Sequence, residues 1–183
     1  MRIAKLDIFN YQDVKDVVAG IRRYRNRLDK KVVELSERLA KEGLKMAKFT
    51  FDSANYDYLV GHGGEEGFAP KPEITVSVHR IDSVKSRATF ALEANGEKVA
   101  FVEFGAGVFF NPGGGIHPGR PDGIVGIGEY GQGKGKRQAW GYYDEAGIFH
   151  VTRGTPEQPG MLFASLVMRS KLENIAREVF SHD

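Results

Sequence analysis

The chain contains no cysteine, so it has no disulfide framework and no thiolate metal site, and nothing in it demands an oxidising compartment. It also lacks an excess of either charge. Twenty-six Lys and Arg against 24 Asp and Glu leave a formal net charge of +2, too even to announce a nucleic-acid or membrane partner by itself. No apolar run approaches the ~20 residues that span a bilayer. The opening Met1 to Phe9 has no uninterrupted apolar core of the signal-peptide kind. These absences set the expectation of a soluble protein, folded in the cytosol, with no membrane partner.

What is present suffices for one core: 41% of the 183 residues are apolar, which suits a single domain over 1–183. From about Gln12 to Lys48, residues Val14, Val17, Val18, Ile21, Tyr24, Leu28, Val32, Leu35, Leu39 and Met46 recur at three- and four-residue steps, the stripe of a long amphipathic helix. Asn10 and Asp13 suit its start, and Gly43 is a weak point that would end it early. The opposite face carries Arg22, Arg23, Arg25, Arg27, Lys30 and Lys31. A solvated face is the plain reading, and a nucleic-acid contact is the sharper one, although no aromatic shares that face to stack on bases.

Residues 50 to 73 lose periodicity among Gly, Pro, Asn and Asp and read as a loop. Alternation then predicts strands at Ile74–His79 and Ala88–Ala94. Asn95-Gly96 predicts a two-residue hairpin turn into a third strand, Val99–Phe104, which is apolar on both faces and therefore central. Twelve of the 23 glycines lie between 105 and 138, and a loop of that length in a compact domain is usually functional or disordered. Trp140–Tyr143 and Ile148–Thr152 predict a second hairpin around Asp144–Gly147, placing the sheet over about 74–152. A C-terminal helix over about 159–181 is expected to bury Leu162, Phe163, Leu166, Val167, Ile175, Ala176 and Val179, with Thr155 or nearby polar groups capping its start.

Motifs of catalysis and cofactor binding fail on context. Gly126–Gly131 matches G-x-G-x-x-G, but the residues that follow do not open a helix to hold a pyrophosphate. Gly128–Gly135 resembles a Walker A loop, yet Gly135 stands where a hydroxyl must hold magnesium. The five histidines, His62, His79, His117, His150 and His182, share no ligand spacing, and no G-x-S-x-G elbow presents a nucleophile. The reading therefore assigns no catalytic residue, no cofactor and no metal. Glu103, between Val102 and Phe104, reads as a structural carboxylate that accepts backbone N–H groups or pairs with a basic side chain. Tyr130, Lys134, Lys136 and Arg137, with Trp140 beyond them, form the basic patch with aromatic neighbours. It divides among a solvated loop, a protein interface and a nucleic-acid contact.

In order and wording these parts resemble the neck, or tail-completion (minor tail), family of long-tailed bacteriophages. The specific element is Val102-Glu103-Phe104-Gly105-Ala106-Gly107, where that family typically has an aliphatic residue, Glu, Phe, Gly, Thr and Gly; Ala106 departs from the Thr. The second is the Thr152-Arg153-Gly154 turn before Pro159 and Phe163, similar to the family's lead-in to its last helix. The 50–73 and 105–138 segments are longer than a compact member would have. The resemblance implies an α+β fold, an antiparallel sheet packed by a long N-terminal helix and a C-terminal helix. It further implies a non-enzymatic virion component, one copy of a homo-oligomeric ring between head connector and tail, assembled in the bacterial cytoplasm. Glu103, Phe104, Gly105 and Gly107 would form its structural turn. DNA would pass nearby without specific binding, and the glycine loop would order against neighbouring subunits. The alternative is a nucleic-acid-binding protein using the basic helix face and the Lys/Arg loop, with strong salt dependence as its signature.

Overall fold

The computed structural model describes residues 11–61, 66–84, 87–110, 117–118 and 138–181. The fold is α+β, with a long N-terminal helix, a C-terminal helix and antiparallel sheets. Helix α1 spans Tyr11–Ser53 and carries its acidic Asp13 in the first turn, where the helix dipole favours it. It does not end at Gly43. A Cβ there would sit 2.8 Å from Met168 Sδ of the C-terminal helix α3, Gly160–Ser181. The glycine therefore marks a close helix crossing and not a helix end.

Helices α1 and α3 run antiparallel. Gly160 lies against the Phe51 ring, Glu42 meets Lys171, Arg38 meets Glu178, and Lys31 Nζ stands 5.9 Å from the Phe180 ring centre. The side chains of α1 that become buried are Ala40, Ala47 and Phe51, with Gly43 between them. Beyond Lys31 the first 20 residues of α1, about 30 Å of helix at 1.5 Å per residue, continue past the last turn of α3. Among the described residues α1 has no buried position before Ala40. Ile21 is 62% exposed and Tyr24 52%, so the predicted stripe is continuous in sequence but covered only in its second half. On α3 the expected inner face also loses a member, because Leu166 is half exposed while Ala164, Ile175 and Val179 are buried.

Two sheets replace the single one expected. Strands β3 (Thr75–Val84) and β4 (Arg87–Asn95) form an antiparallel ribbon on α1, with an irregularity between Arg80 and Asp82. Short strands β1 (Tyr58–Leu59) and β2 (Gly67–Phe68), from the stretch read as loop, join β5 (Trp140–Tyr143) and β6 (Phe149–Thr152) in the order β2-β1-β6-β5. The hairpin around Asp144–Gly147 is present, closed by Asp144 N–H on Ile148 O at 2.9 Å.

The expected third strand is a helix. Val99–Phe104 forms α2, and Asn95-Gly96 leads into it instead of turning a hairpin. Gly96 has φ +149°, and a Cβ there would lie 2.6 Å from Glu73 O. The Val99 N–H then donates to Gly96 O at 3.2 Å. The reason is the spacing of what is buried: Val102 and Glu103 are inside with Val99 packed beside them, an i, i+3, i+4 set, while Ala100 and Phe101 face outward. Apolar residues at those outward positions made the segment look like a two-faced strand. The core joins all these parts: Ala47, Phe51, Ala54, Val76, Val102 and Ala164, with Leu44, Tyr56, Ile74, Leu92 and Met161 around them.

The asymmetry of α1 sets a stability contrast. Phe51→Ala, at a ring that is 1% exposed, should cost about 3–5 kcal/mol in urea unfolding, whereas Ile21→Ala should change it by less than about 0.5 kcal/mol. A second contrast is in pH. Lys171 and Lys45, hydrogen-bonded to Glu42, hold its carboxyl down at about 2 from 4.5. A depressed carboxyl pKa gives stability that is present above the unfolded value and lost as pH falls through the folded one. The stability difference between the wild type and Glu42→Gln should therefore shrink between about pH 4.5 and 2, as followed by thermal unfolding.

Candidate functional site at the glycine turn

The residues around the predicted turn are stitched to both ends of the chain's core. Helix α2 ends at Gly105 (φ 69°), and Ala106 forms an isolated antiparallel bridge with Thr155, each N–H donating to the other's carbonyl at 2.8 Å. That approach needs glycine across from it. At Gly154 (φ +94°) a Cβ would sit 2.0 Å from Ala106 O, and at Gly107 (φ +84°) one would sit 2.8 Å from both Arg153 O and the Trp140 ring. Gly107 begins the glycine-rich stretch and Trp140 follows it, so the two stems of that stretch stand side by side.

Glu103 holds the turn to α3. It is 4% exposed; its Oε2 accepts the Met161 N–H at 2.9 Å and its Oε1 the Leu162 N–H at 3.0 Å. These are donors of the first turn of α3, which have no partner within the helix, and a carboxylate there also meets the positive end of the dipole. Glu103 thus does the capping expected of Thr155 or nearby polar groups. Thr155 instead accepts the Asp57 N–H on its hydroxyl at 3.2 Å. Oε1 of Glu103 also meets His117 Nε2 at 3.0 Å, and the His117 ring packs edge-on against Phe104 at 4.7 Å. A buried carboxylate that accepts two backbone N–H groups and lies against a histidine is suited to fastening.

A second buried carboxylate fastens the other side. Asp57, at φ 40°, accepts the Tyr142 hydroxyl at 2.7 Å on one oxygen and the Thr152 hydroxyl on the other. Burial, then the hydrogen bond to Asp57, pushes the Tyr142 phenol well above its ordinary value, and burial with the same charge pushes Tyr56 up to about 12. Gln158 clamps the neighbouring backbone: its amide accepts the Asn55 N–H at 2.8 Å and donates to Asn55 O at 2.6 Å. At the hairpin, the Asp144 carboxyl is held below its usual range by His150 and then by the Ile148 N–H.

Outside this frame lies an aromatic surface. Tyr58, Phe68, Phe109 and Phe110 contact one another edge-on or tilted, and the Arg153 guanidinium lies 4.8 Å over Phe109 and 5.7 Å over Tyr58. Phe68 and Phe109 remain about two-fifths exposed.

Of the residues singled out by sequence, Glu103, Phe104, Gly105 and Gly107 come together at this turn. Tyr130, Lys134, Lys136 and Arg137 lie outside the described residues, as do both nucleotide-like glycine motifs, His62 and His182. His79 pairs with Glu93 at 3.2 Å and His150 with Asp144 at 2.9 Å, so the three described histidines, His117 included, fall at separate places. Among the described residues no group of three or more His, Asp or Glu gathers in a metal-binding arrangement, and no helix is long and apolar enough to cross a membrane. Asp57 and Gln158 were not foreseen. Asp57 sits between two tyrosines in an aperiodic stretch, and its partners are about 90 residues away, so no local pattern announces it. No protein-family model matches the chain, and no curated protein or solved structure matches it either.

Two substitutions test the frame. Gly154→Ala should destabilise by about 2 kcal/mol or more, since it adds both a clash and a strained φ. Tyr142→Phe should cost about 1–3 kcal/mol by leaving Asp57 short of a donor. A phenol whose pKa is raised on folding gives stability that is full below its unfolded value, about 10, and lost as pH rises. The gap between the wild type and Tyr142→Phe should thus hold constant below that pH and narrow above it.

Proposed function

We propose that the chain is a non-enzymatic structural protein of a tailed bacteriophage or prophage, one copy of a ring that joins the head connector to the tail. Its partners are other copies of itself and the connector and tail proteins, in a virion assembled in the bacterial cytoplasm. The observation that carries an assembly role is the uncovered first half of α1, where Val18, Ile21 and Tyr24 stand exposed along one stripe. The first half of this 43-residue helix has no buried position among the described residues and is marginal on its own; a neighbouring subunit would supply the missing face.

The assignment to a neck rests on the resemblance carried by Val102–Gly107 and by Thr152–Phe163. Two features agree with it. Both stems of the glycine-rich stretch are anchored on a rigid base through Gly107 and Trp140, and His117 within that stretch is held by Glu103. Such a base lets the stretch present itself to a neighbour, and joints weak singly become stable in a ring. The Ala in place of the family's Thr at 106 is no obstacle, because the contact made there is main-chain on both sides.

Electron microscopy of lysates from the parent phage or induced prophage, with this gene interrupted, tests the role. Filled heads separate from tails are expected; normal infectious particles would remove the reading. Complementation with Ile21→Asp/Tyr24→Asp should fail to join heads to tails, while the purified variant keeps a urea midpoint close to wild type. Full complementation by that variant would exclude α1's first half as the joining surface.

A further inference from the structure

The other side of the same projecting helix carries a different surface. Residues 22 to 31 hold six basic side chains, Arg22, Arg23, Arg25, Arg27, Lys30 and Lys31, against the single acidic Asp29. At 100° per residue, Arg23, Arg27 and Lys30 fall within about 60° of one another. They line an open depression with Gly20 and Asn26, and a Cβ at Gly20 would meet nothing within 4 Å. All three are exposed.

Their surroundings set them apart from the basic residues farther along α1. Arg38 holds Glu34 and Glu178, Lys41 holds Glu37, and Lys45 holds Glu42. Among the described residues Arg22, Arg23, Arg25, Arg27 and Lys30 hold no carboxylate in an ion pair. Arg38, Lys41 and Lys45 of the second half thus hold carboxylates, whereas among the described residues these five of the first half hold none, on a stretch of helix that continues past the last turn of α3.

We propose that this face binds the phosphate backbone of double-stranded DNA, without reading its sequence. Duplex DNA presents one negative charge per about 1.7 Å of axis, so a straight row of cations finds partners at any register. The row is mostly arginine, whose planar guanidinium takes phosphate oxygens in pairs. It has no aromatic on that side to stack on unpaired bases, which favours a duplex over a single strand. The stripe across from it, Val14, Val17, Val18, Ile21, Tyr24 and Leu28, has no Trp or Phe of the kind that anchors a helix lying in a lipid surface. This contact goes beyond the joining role and does not depend on it.

The test is binding of the full chain to two duplexes of unrelated sequence, followed by fluorescence anisotropy across a salt series. Three phosphate contacts give a log–log slope of about −2.7, or a loss of affinity of about 40-fold between 50 and 200 mM salt. Arg23→Glu/Arg27→Glu should flatten the slope by about 2, and Arg23→Gln/Arg27→Gln should flatten it similarly with a smaller loss of affinity. Lys98→Glu/Arg169→Glu, an equal charge change at exposed sites elsewhere, should leave the slope unchanged. No binding at low salt, an equal effect of the Lys98/Arg169 pair, or tighter binding to polyglutamate or to anionic phosphatidylserine vesicles than to duplex at matched salt would each overturn the proposal.

Discussion

A carboxylate taken out of water has to be met by donors, and in this chain the donors that meet Glu103 lie 58 and 59 residues away at the first turn of α3. That match sets the geometry around it. For Glu103 to reach those N–H groups while Val102 fills the core beside Phe51 and Ala164, the two must lie on one side of a helix, and a strand would turn them to opposite faces. The helix must then stop at once, because Ala106 is committed to a main-chain bridge with Thr155. Gly105 stops it, and Gly154 leaves room for the bridge. One buried carboxylate and the two backbone N–H groups it accepts thus account for a short helix, a sharp turn and a glycine on the facing segment.

Asp57 plays the matching part for the four-stranded sheet. Strands β1 and β2 are two residues long, too short to hold register by main-chain bonds alone. The carboxylate of Asp57, tied to Thr152 of β6 and Tyr142 of β5, fixes β1 against the hairpin, and the Gln158 clamp on Asn55 holds the segment after α1 to the segment before α3. The body of the protein is therefore assembled by polar fasteners around an apolar cluster in which the Phe51 ring is set among alanines and valines. Polar networks whose members meet one another in this way favour a single arrangement.

The body and the projecting half of α1 divide the physical work. In the body, glycine contacts and buried carboxylates leave little freedom. Along the first 20 residues of α1 an apolar stripe and a basic face stand open on one rod, so one helix offers two chemically distinct surfaces. The aromatic surface of Tyr58, Phe68, Phe109 and Phe110 under Arg153 lies at the root of the glycine-rich stretch. These surfaces lie on the elements whose burial within the chain is least complete.

The chain's residue pattern alone is enough for the elements that are long or locally closed. The three- and four-residue recurrence in α1 and α3, the alternation of β3 and β4, and the Asp144–Gly147 turn are all readable because each residue's role depends on near neighbours. It also marked Glu103 as a structural carboxylate and Gly105 and Gly107 as backbone positions. That Val99–Phe104 is helical was settled only by tertiary packing, since six residues are too few for a period to show and the amides that Glu103 meets lie 58 and 59 residues away. The same holds for Gly43 as a crossing point, for Glu103 as the cap of α3, and for the absence, among the described residues, of any buried α1 position before Ala40. Each of these depends on which distant segment arrives beside a residue, and a local pattern carries no record of that arrival.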